Sequence, residues 1–391
     1  MPDIYISRQP LVNRQSKIIA TRLTLHLDRG ATTRDAADAL SELTEYWPQG
    51  EKLVFINCAN TSCDSALLDW PAPANVTFEV HPASLLDPSA GDFRAALQAT
   101  QSSLCLVYEA QAPAALATGV NFRFIAFDAQ HSTPAQLKVL AATTQPYGIG
   151  VALNVYDGAS FQACLDAGVN AAASWFFKRS TQPAAKTLNP GQAQIVRVLN
   201  LVRKNADIKE IETALKHDVA LSYKLLRYIN SAGFGLSCEI QSFRHAVTIL
   251  GYNKLNKWLS LLLATASKDP MAPALMHTAL TRAHLMEVLA HDLVDRQEFD
   301  NLFITGAFSM LDALLGVPME KVLESMSLPE AICDALLGRG GVYGPFLDLA
   351  VVSEGEDGKA IAAQAGMLGL SAAQFNRAQM QALAFADSME L

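Results

Sequence analysis

The sequence has no dense run of lysines or arginines and no long apolar stretch. Its 30 basic and 38 acidic residues give a formal net charge of −8, spread along the chain. Because a nucleic-acid surface needs clustered cations, direct binding to DNA or RNA is disfavoured. The longest apolar stretch, 302–317, is shorter than a bilayer span and contains Asp312. We therefore predict no nucleic-acid partner and no membrane segment.

A signal peptide and a zinc-like cysteine pattern are also missing. The first residues lack the positive and apolar regions of a signal peptide, so a cytoplasmic location is expected. Six cysteines occur without a Cys-x-x-Cys pair or histidines at zinc-binding spacing. We predict reduced, mostly buried thiols and no metal held by them.

What is present indicates two domains, because 391 residues exceed what one hydrophobic core usually serves. Up to about residue 180, short β-like runs alternate with helical segments, which is typical of a parallel sheet covered by helices. Seven such runs suggest a TIM-like β/α barrel, although a doubly wound sheet would give a similar pattern. The candidate strands are 17–25, 53–57, 76–80, 103–109, 122–128, 149–155 and 171–176.

Residues 181–191, which include two prolines, interrupt this pattern and are predicted to form a linker. From 192 to 391 almost every segment has helical periodicity, and no strand candidate competes. The predicted fold class is therefore α/β plus all-α: a β/α domain over 1–180 and an all-helical domain over 192–391.

The helical half contains a recognisable signature. The run 214–232 resembles that of the HDOD domain, an HD-related output domain, and the resemblance continues through 240–251, 258–261 and 302–315. It implies an all-helical domain that contacts partner proteins. We mark Asp218, Asn230, Ser231 and Trp258 as its signature or interaction residues.

Each of these residues also has a structural explanation. Asp218 precedes a predicted helix and is expected to cap it rather than to bind metal. Asn230 and Ser231 fit a helix C-terminus, with a partner groove as the alternative for Asn230. Trp258 begins an apolar stretch typical of a central buried helix, and a groove for a partner helix is the less favoured interpretation.

The β/α half is similar to the first domain of the EAL–HDOD family, which resembles cyclic di-GMP phosphodiesterases. The resemblance depends on short motifs in the expected order: Arg8-Gln-Pro10, Phe55-Ile-Asn57, Phe78-Glu-Val80, Ala126-Phe-Asp128 and Trp175-Phe-Phe177. It implies a TIM-like barrel whose site lies at the carboxyl ends of the strands.

The same resemblance implies that the metal site is degenerate. Arg22 stands where the family has its name-giving glutamate, and a cation there repels metal. Asn57, Glu79 and Asp128 are retained, but Ala129 replaces a second aspartate. An Arg22 directed into the barrel would need an acidic partner of its own. The interval between Asp128 and residue 152 is also short for two β/α units, so a barrel that lacks one unit is an open alternative.

These observations predict that the protein is not an enzyme and has no cofactor. The favoured function is a signalling scaffold that acts through an unknown partner protein. The alternative is a non-hydrolysing sensor that binds cyclic di-GMP or another nucleotide in the barrel mouth through Arg22, Asn57, Glu79 and Asp128. A second alternative is an HD-type, metal-dependent phosphohydrolase in the helical half. Its candidate residues are His217, Asp218, His291 and Asp292.

Overall fold

The computed structural model describes residues 3–27, 30–130, 132–178, 187–216, 242–265, 267, 269–291 and 293–389. The chain divides into two compact units, which are described separately below. The barrel unit comprises Met1–Arg179 and Val351–Met380, and the helical unit comprises Ser180–Ala350 and Gln381–Leu391. The stretch 351–380, which we call the return segment, is thus counted with the barrel.

Eight strands of the barrel unit form a closed ring in the order β1 to β8. Strands β2 to β8 run parallel, and β1 pairs antiparallel with both β2 and β8. This confirms the predicted barrel. The strands are β1 Tyr5–Asn13, β2 Ile18–His26, β3 Leu53–Ala59, β4 Val76–Val80, β5 Ser103–Val107, β6 Phe124–Asp128, β7 Ile149–Leu153 and β8 Ala171–Ala173.

The sequence missed β1, which corrects the count of seven strands. Nearly every residue of β1 is buried, Ser7 and Arg8 included, so the strand lacks the alternation of polar and apolar residues that marks a half-buried strand. Because β1 occupies the gap between β2 and β8, the ring closes although one helix alone, Pro134–Thr144, joins β6 to β7.

The helices around the barrel begin with local signals that the sequence displays. Thr133 caps the Pro134–Thr144 helix in a capping box with Gln136, and Pro134 occupies its first position. The other helices of the unit are Thr33–Leu43, Ser65–Leu68, Pro82–Leu86, Gly91–Ala99, Ala112–Leu116, Gly158–Asp166 and Gly358–Met367.

The described part of the helical unit contains no strand. Its helices are Pro190–Arg203, Ile208–Lys216, Phe243–Thr265, Ala272–Leu289, Phe299–Phe308, Leu311–Leu315, Met319–Glu324 and Glu330–Gly338. Two more helices, Gly344–Val352 and Ala372–Ser388, contain points at which the chain passes from one unit to the other.

Two glycines determine how helices of this unit pack. Gly251 has φ 74° and divides Phe243–Thr265 into two helical parts. Gly306 lies against the Ala272–Leu289 helix, where an added Cβ would come within 2.6 Å of the Ala283 Cα. A side chain at 306 would therefore push two buried helices apart.

The return segment is joined to β1 by a buried arginine. Arg8 is 2% exposed, and its Nη2 lies 3.0 Å from the carboxylate of Glu354, whose side chain is 1% exposed. Arg8 Nη1 donates to Ser353 Oγ at 2.6 Å and to Gln379 Oε1 at 2.8 Å. Lys178 also pairs with Glu354. Each polar group brought into this interior position thus has a partner.

Further along the return segment, Asn376 forms hydrogen bonds with the backbone of Ile6 in β1 and of Ile4 just before it. Its Oδ1 accepts from the Ile6 amide at 3.1 Å, and its Nδ2 donates to the Ile4 carbonyl at 2.7 Å. Gln379 Nε2 donates to the Ile6 carbonyl at 2.9 Å. The predicted helical domain over 192–391 stays a prediction, but these bonds explain why residues 351–380 group with the barrel instead.

Four cysteines, Cys58, Cys63, Cys105 and Cys164, are free and buried, and burial raises the pKa of the Cys58 thiol to about 12. Cys333 is free and half-buried, while Cys238 lies outside the described residues. Among the helices that the structure describes, none combines the length and apolar character that a bilayer span requires.

Glu354→Gln tests the link between the return segment and β1. We expect the free energy of unfolding to fall by about 3 kcal/mol, because the substitution leaves the buried Arg8 charge without its counter-ion. Urea unfolding followed by tryptophan fluorescence measures this, since Trp47, Trp70 and Trp175 all lie in the barrel unit. Glu51→Gln, at an exposed position before β3, is the matched control. Equal midpoints for both variants would contradict the account.

Candidate functional site at the barrel mouth

The interior of the barrel is apolar at one end and polar at the other. Alternate residues of a strand point to the same face, and Ala20, Phe55 and Ala126 belong to the apolar cluster inside the ring. Two residues further along the same strands stand Arg22, Asn57 and Asp128, and they are therefore directed inward nearer the carboxyl ends. The predicted site residues thus occupy the position at which barrel enzymes place their sites.

Arg22 and Glu79 form a buried ion pair across the barrel interior. Arg22 Nε donates to Glu79 Oε1 at 2.6 Å, and Nη2 donates to Oε2 at 2.8 Å. The side chain of Arg22 is 11% exposed and that of Glu79 1%. Burial opposes the charge of Arg22, but the carboxylate of Glu79 outweighs this effect, so the pKa of Arg22 is raised. The prediction that Arg22 needs an acidic partner is confirmed.

The third nitrogen of the Arg22 guanidinium is directed at a different pair of groups. Its Nη1 donates to Gln9 Oε1 at 3.3 Å and lies 3.8 Å from Glu356 Oε1. Gln9 in turn donates through Nε2 to Glu356 Oε1 at 2.9 Å. Gln9 therefore connects the arginine of β2 with a carboxylate of the return segment.

Asn57 and Asp128 have separate surroundings. Asn57 Nδ2 donates to Thr24 Oγ1 at 3.3 Å. Asp128 accepts the Gln130 amide on Oδ1 at 2.8 Å, which shapes the loop after β6. Asp128 thus satisfies a backbone group at a strand end, whereas Asn57 bonds a side chain.

A cavity of about 840 Å³ opens at the carboxyl ends of the strands. Arg22 and Asn57 line it, whereas Glu79 and Asp128 do not. The remaining lining residues come from strand ends and from the return segment: Asp3, Tyr5, Thr24, His26, Leu27, Ala59, Asn60, Leu153, Asn154, Glu356, Asp357, Gly358, Lys359 and Ala362.

Part of this lining was not predicted, because the return segment had been assigned to the helical half. Asp357 caps the Gly358–Met367 helix by accepting the amides of Lys359 and Ala360. Gly358 lies so close to His26 that an added Cβ would be 2.4 Å from the His26 Cβ. The available signal was the charged run 354–359, which interrupts an otherwise apolar region.

Two asparagines in the lining have left-handed backbones. Asn60, after β3, has φ 61°, and Asn154, after β7, has φ 57°. Asparagine tolerates this conformation better than most residues. Both turn the chain sharply at the cavity edge, so they shape the lining at two strand ends.

The residues present do not fit the two-metal centre that the EAL resemblance implies. Both carboxylate oxygens of Glu79 accept from Arg22, and one oxygen of Asp128 accepts a backbone amide. Within the part of the chain that the structure describes, no group of three or more His, Cys, Asp or Glu side chains could hold a metal ion.

The residues predicted in the helical half are largely beyond what the structure describes. Asp218, Asn230, Ser231, His217 and Asp292 lie outside the described residues, as does the side chain of Trp258. Their predicted roles stay predictions.

His291 is described, and its ring stacks on Phe299 at 4.7 Å between centroids. This contact shows a packing role for the histidine. The phosphohydrolase alternative is not tested by it.

A double-mutant cycle on Arg22 and Glu79 tests the buried pair. We expect Glu79→Gln to lower the free energy of unfolding by about 3 kcal/mol, because it leaves the Arg22 charge uncompensated. Adding Arg22→Met should restore part of the loss, so that the two changes are not additive. Urea unfolding of the four proteins measures the coupling. Additive effects would show that the pair contributes nothing as a pair.

The chain is similar in sequence to two proteins, one from Vibrio cholerae and one from Bacillus subtilis. The chain is 30% identical over 198 residues to "Cyclic di-GMP phosphodiesterase CdgJ" of Vibrio cholerae, a match that covers 50% of this chain and 46% of that protein. It is 28% identical over 157 residues to the uncharacterized protein YuxH of Bacillus subtilis, covering 39% of this chain and 38% of that protein. The matches thus span less than half the length of either relative.

Among solved structures, the chain is similar to a calcium/cy-diGMP complex of Klebsiella pneumoniae BlrP1. The identity is 14% and the TM-score 0.36, over 45% of this chain and 55% of that one. The Xanthomonas citri FimX EAL domain in complex with c-diGMP matches at 16% identity and a TM-score of 0.33, over 44% of this chain and 85% of that one.

The relative from Vibrio cholerae corrects one prediction. From the loss of metal ligands we predicted that the protein is not an enzyme, but a relative whose match covers 50% of this chain is named a phosphodiesterase. The replacement of individual ligands, including Arg22 at the glutamate position, was therefore insufficient ground for that conclusion.

Part of the helical unit matches a known domain family. The model of the HDOD domain matches residues 188–315, which include the signature run noted in the sequence. The closed eight-stranded barrel precedes this match in the chain. The chain therefore contains a region that matches the HDOD domain, and this region follows a closed eight-stranded barrel in the sequence, an order that fits the resemblance to the EAL–HDOD family.

Proposed function

We propose that the barrel unit binds cyclic di-GMP in the mouth cavity and that the chain acts in signalling by this dinucleotide. The observation that carries the proposal is the position of Arg22, which lies inside the strand ring and lines the cavity at the carboxyl ends. The name of the Vibrio cholerae relative supports the choice of ligand.

The size and chemistry of the cavity support a ligand of this class. Small-molecule sites usually have volumes of about 300 to 1,000 Å³, and the mouth cavity has about 840 Å³. Cyclic di-GMP carries two phosphodiester anions and two guanine bases. Arg22 and Lys359 offer cationic donors for the anions, and the amides of Asn57, Asn60 and Asn154 offer donors and acceptors for bases.

The charges in the lining are mixed, which determines how binding should respond to salt. Lys359 is exposed and the Arg22 side chain is only 11% exposed, while Asp3, Glu356 and Asp357 add negative charge. Because the cavity is not uniformly cationic, we expect moderate affinity that weakens as ionic strength rises.

The helical unit is proposed to pass the signal to a partner protein. The HDOD match over 188–315 and the resemblance of the sequence to that domain support this proposal. The partner, and the roles of Asp218, Asn230, Ser231 and Trp258 in contacting it, stay predictions.

Calorimetric titration of the full chain with cyclic di-GMP, with magnesium present, tests the proposal. The same samples are analysed for linear product, so that turnover is measured together with binding. We expect a saturable binding heat at one site per chain. The absence of binding over the accessible concentration range would overturn the proposed function.

Lys359→Gln locates the site at the mouth. We expect about fivefold weaker binding of cyclic di-GMP, because the substitution removes one partly solvated charge from the cavity edge. Lys17→Gln is the matched control, since Lys17 is exposed in the β1–β2 turn at the opposite end of β2. Equal affinities for the two variants would place the ligand elsewhere.

A further inference from the structure

The partly exposed carboxylate of Glu356 lies beside the guanidinium of Arg22 at the barrel mouth. Two nitrogens of the Arg22 guanidinium are occupied by Glu79, and Nη1 alone is directed at Gln9 and Glu356. Nη1 is therefore the donor through which Arg22 could bind an anionic ligand. Glu356 Oε1 lies 3.8 Å from that nitrogen, next to the place where such an anion would bind.

One hydrogen bond holds the Glu356 carboxylate, and contacts of the neighbouring residues hold its backbone at the mouth. Gln9 Nε2 donates to Glu356 Oε1 at 2.9 Å. Two residues before it, Glu354 is buried in its ion pair with Arg8, and one residue after it, Asp357 caps a helix. Gly358 then lies against His26 without room for a side chain. Glu356 therefore cannot leave the mouth by a simple shift of its own backbone.

We propose that Glu356 acts as an internal counter-ion of Arg22 and sets the affinity of the mouth cavity for anionic ligands. This inference rests on the proposed function, because it concerns the same cavity and the same dinucleotide. A phosphodiester that approaches Arg22 Nη1 meets the negative charge of Glu356. The two anions compete for one cation, so the carboxylate has to move aside or remain nearby at a cost in binding.

The size of the effect follows from distance and exposure. The side chain of Glu356 is 55% exposed, so solvent screens its charge. Removal of one charge at about 4 Å in such surroundings corresponds to about a three- to tenfold change in affinity. The effect should shrink as salt is added, whereas a change caused by altered packing should not.

Glu356→Gln is the test, measured by calorimetry with cyclic di-GMP on the full chain. Glutamine keeps the length of the side chain and an oxygen acceptor for Gln9, and it removes the charge alone. Glu51→Gln is the matched control, because it makes the same chemical change at an exposed position before β3, at the amino-terminal end of the barrel. Thermal unfolding of each protein verifies that both variants fold.

We expect Glu356→Gln to bind about three- to tenfold more tightly than the unsubstituted chain, with Glu51→Gln unchanged. Binding by Glu356→Gln alone would support the same conclusion. Equal or weaker binding by Glu356→Gln, while the unsubstituted chain binds, would overturn this inference and leave the proposed function intact.

An equal gain in both variants would also overturn the inference, since it would reflect net charge rather than position. No binding by any of the three proteins would overturn the proposed function itself. The two failures are therefore distinguishable.

Discussion

The burial of Arg8 in the first strand is the constraint on which the barrel unit depends. A guanidinium in that position needs a counter-ion and acceptors. Glu354 and Gln379 provide them, although they lie 346 and 371 positions further along the chain. Because these partners must reach β1, the return segment belongs with the barrel. Its next residues, Glu356 to Lys359, then form part of the mouth. One structural ion pair thus determines which side chains surround the cavity.

The second ion pair determines the chemistry inside that cavity. Arg22 occupies the place where the family resemblance puts a glutamate, and Glu79 neutralises it from β4. Both oxygens of Glu79 accept from the guanidinium, so a metal ion ligated there would lie beside the positive charge of Arg22, which repels it. The barrel interior is therefore arranged around a paired cation. The third nitrogen of its guanidinium, Nη1, is directed at Gln9 and Glu356.

The sequence predicted the parts of the fold that local signals determine. β4 was predicted over 76–80 because its apolar run is short and bounded, and the Pro134–Thr144 helix begins at a proline and a capping box that are visible in the sequence. β1 was missed because burial on both faces removes alternation. The need of Arg22 for an acidic partner was foreseen, but the identity of the partner depends on the register of the closed barrel. The role of residues 351–380 was missed because Asn376 and Gln379 find their partners some 370 residues away.

The central claim is that the mouth cavity, with the return segment in its lining, binds cyclic di-GMP. Hydrogen–deuterium exchange of the full chain with and without the dinucleotide tests it most directly, because amides protected by a ligand exchange more slowly. The account predicts added protection at the ends of β2 and β3 together with residues 356–362. Protection confined to the helical unit, or protection of the strand ends without the return segment, would contradict it.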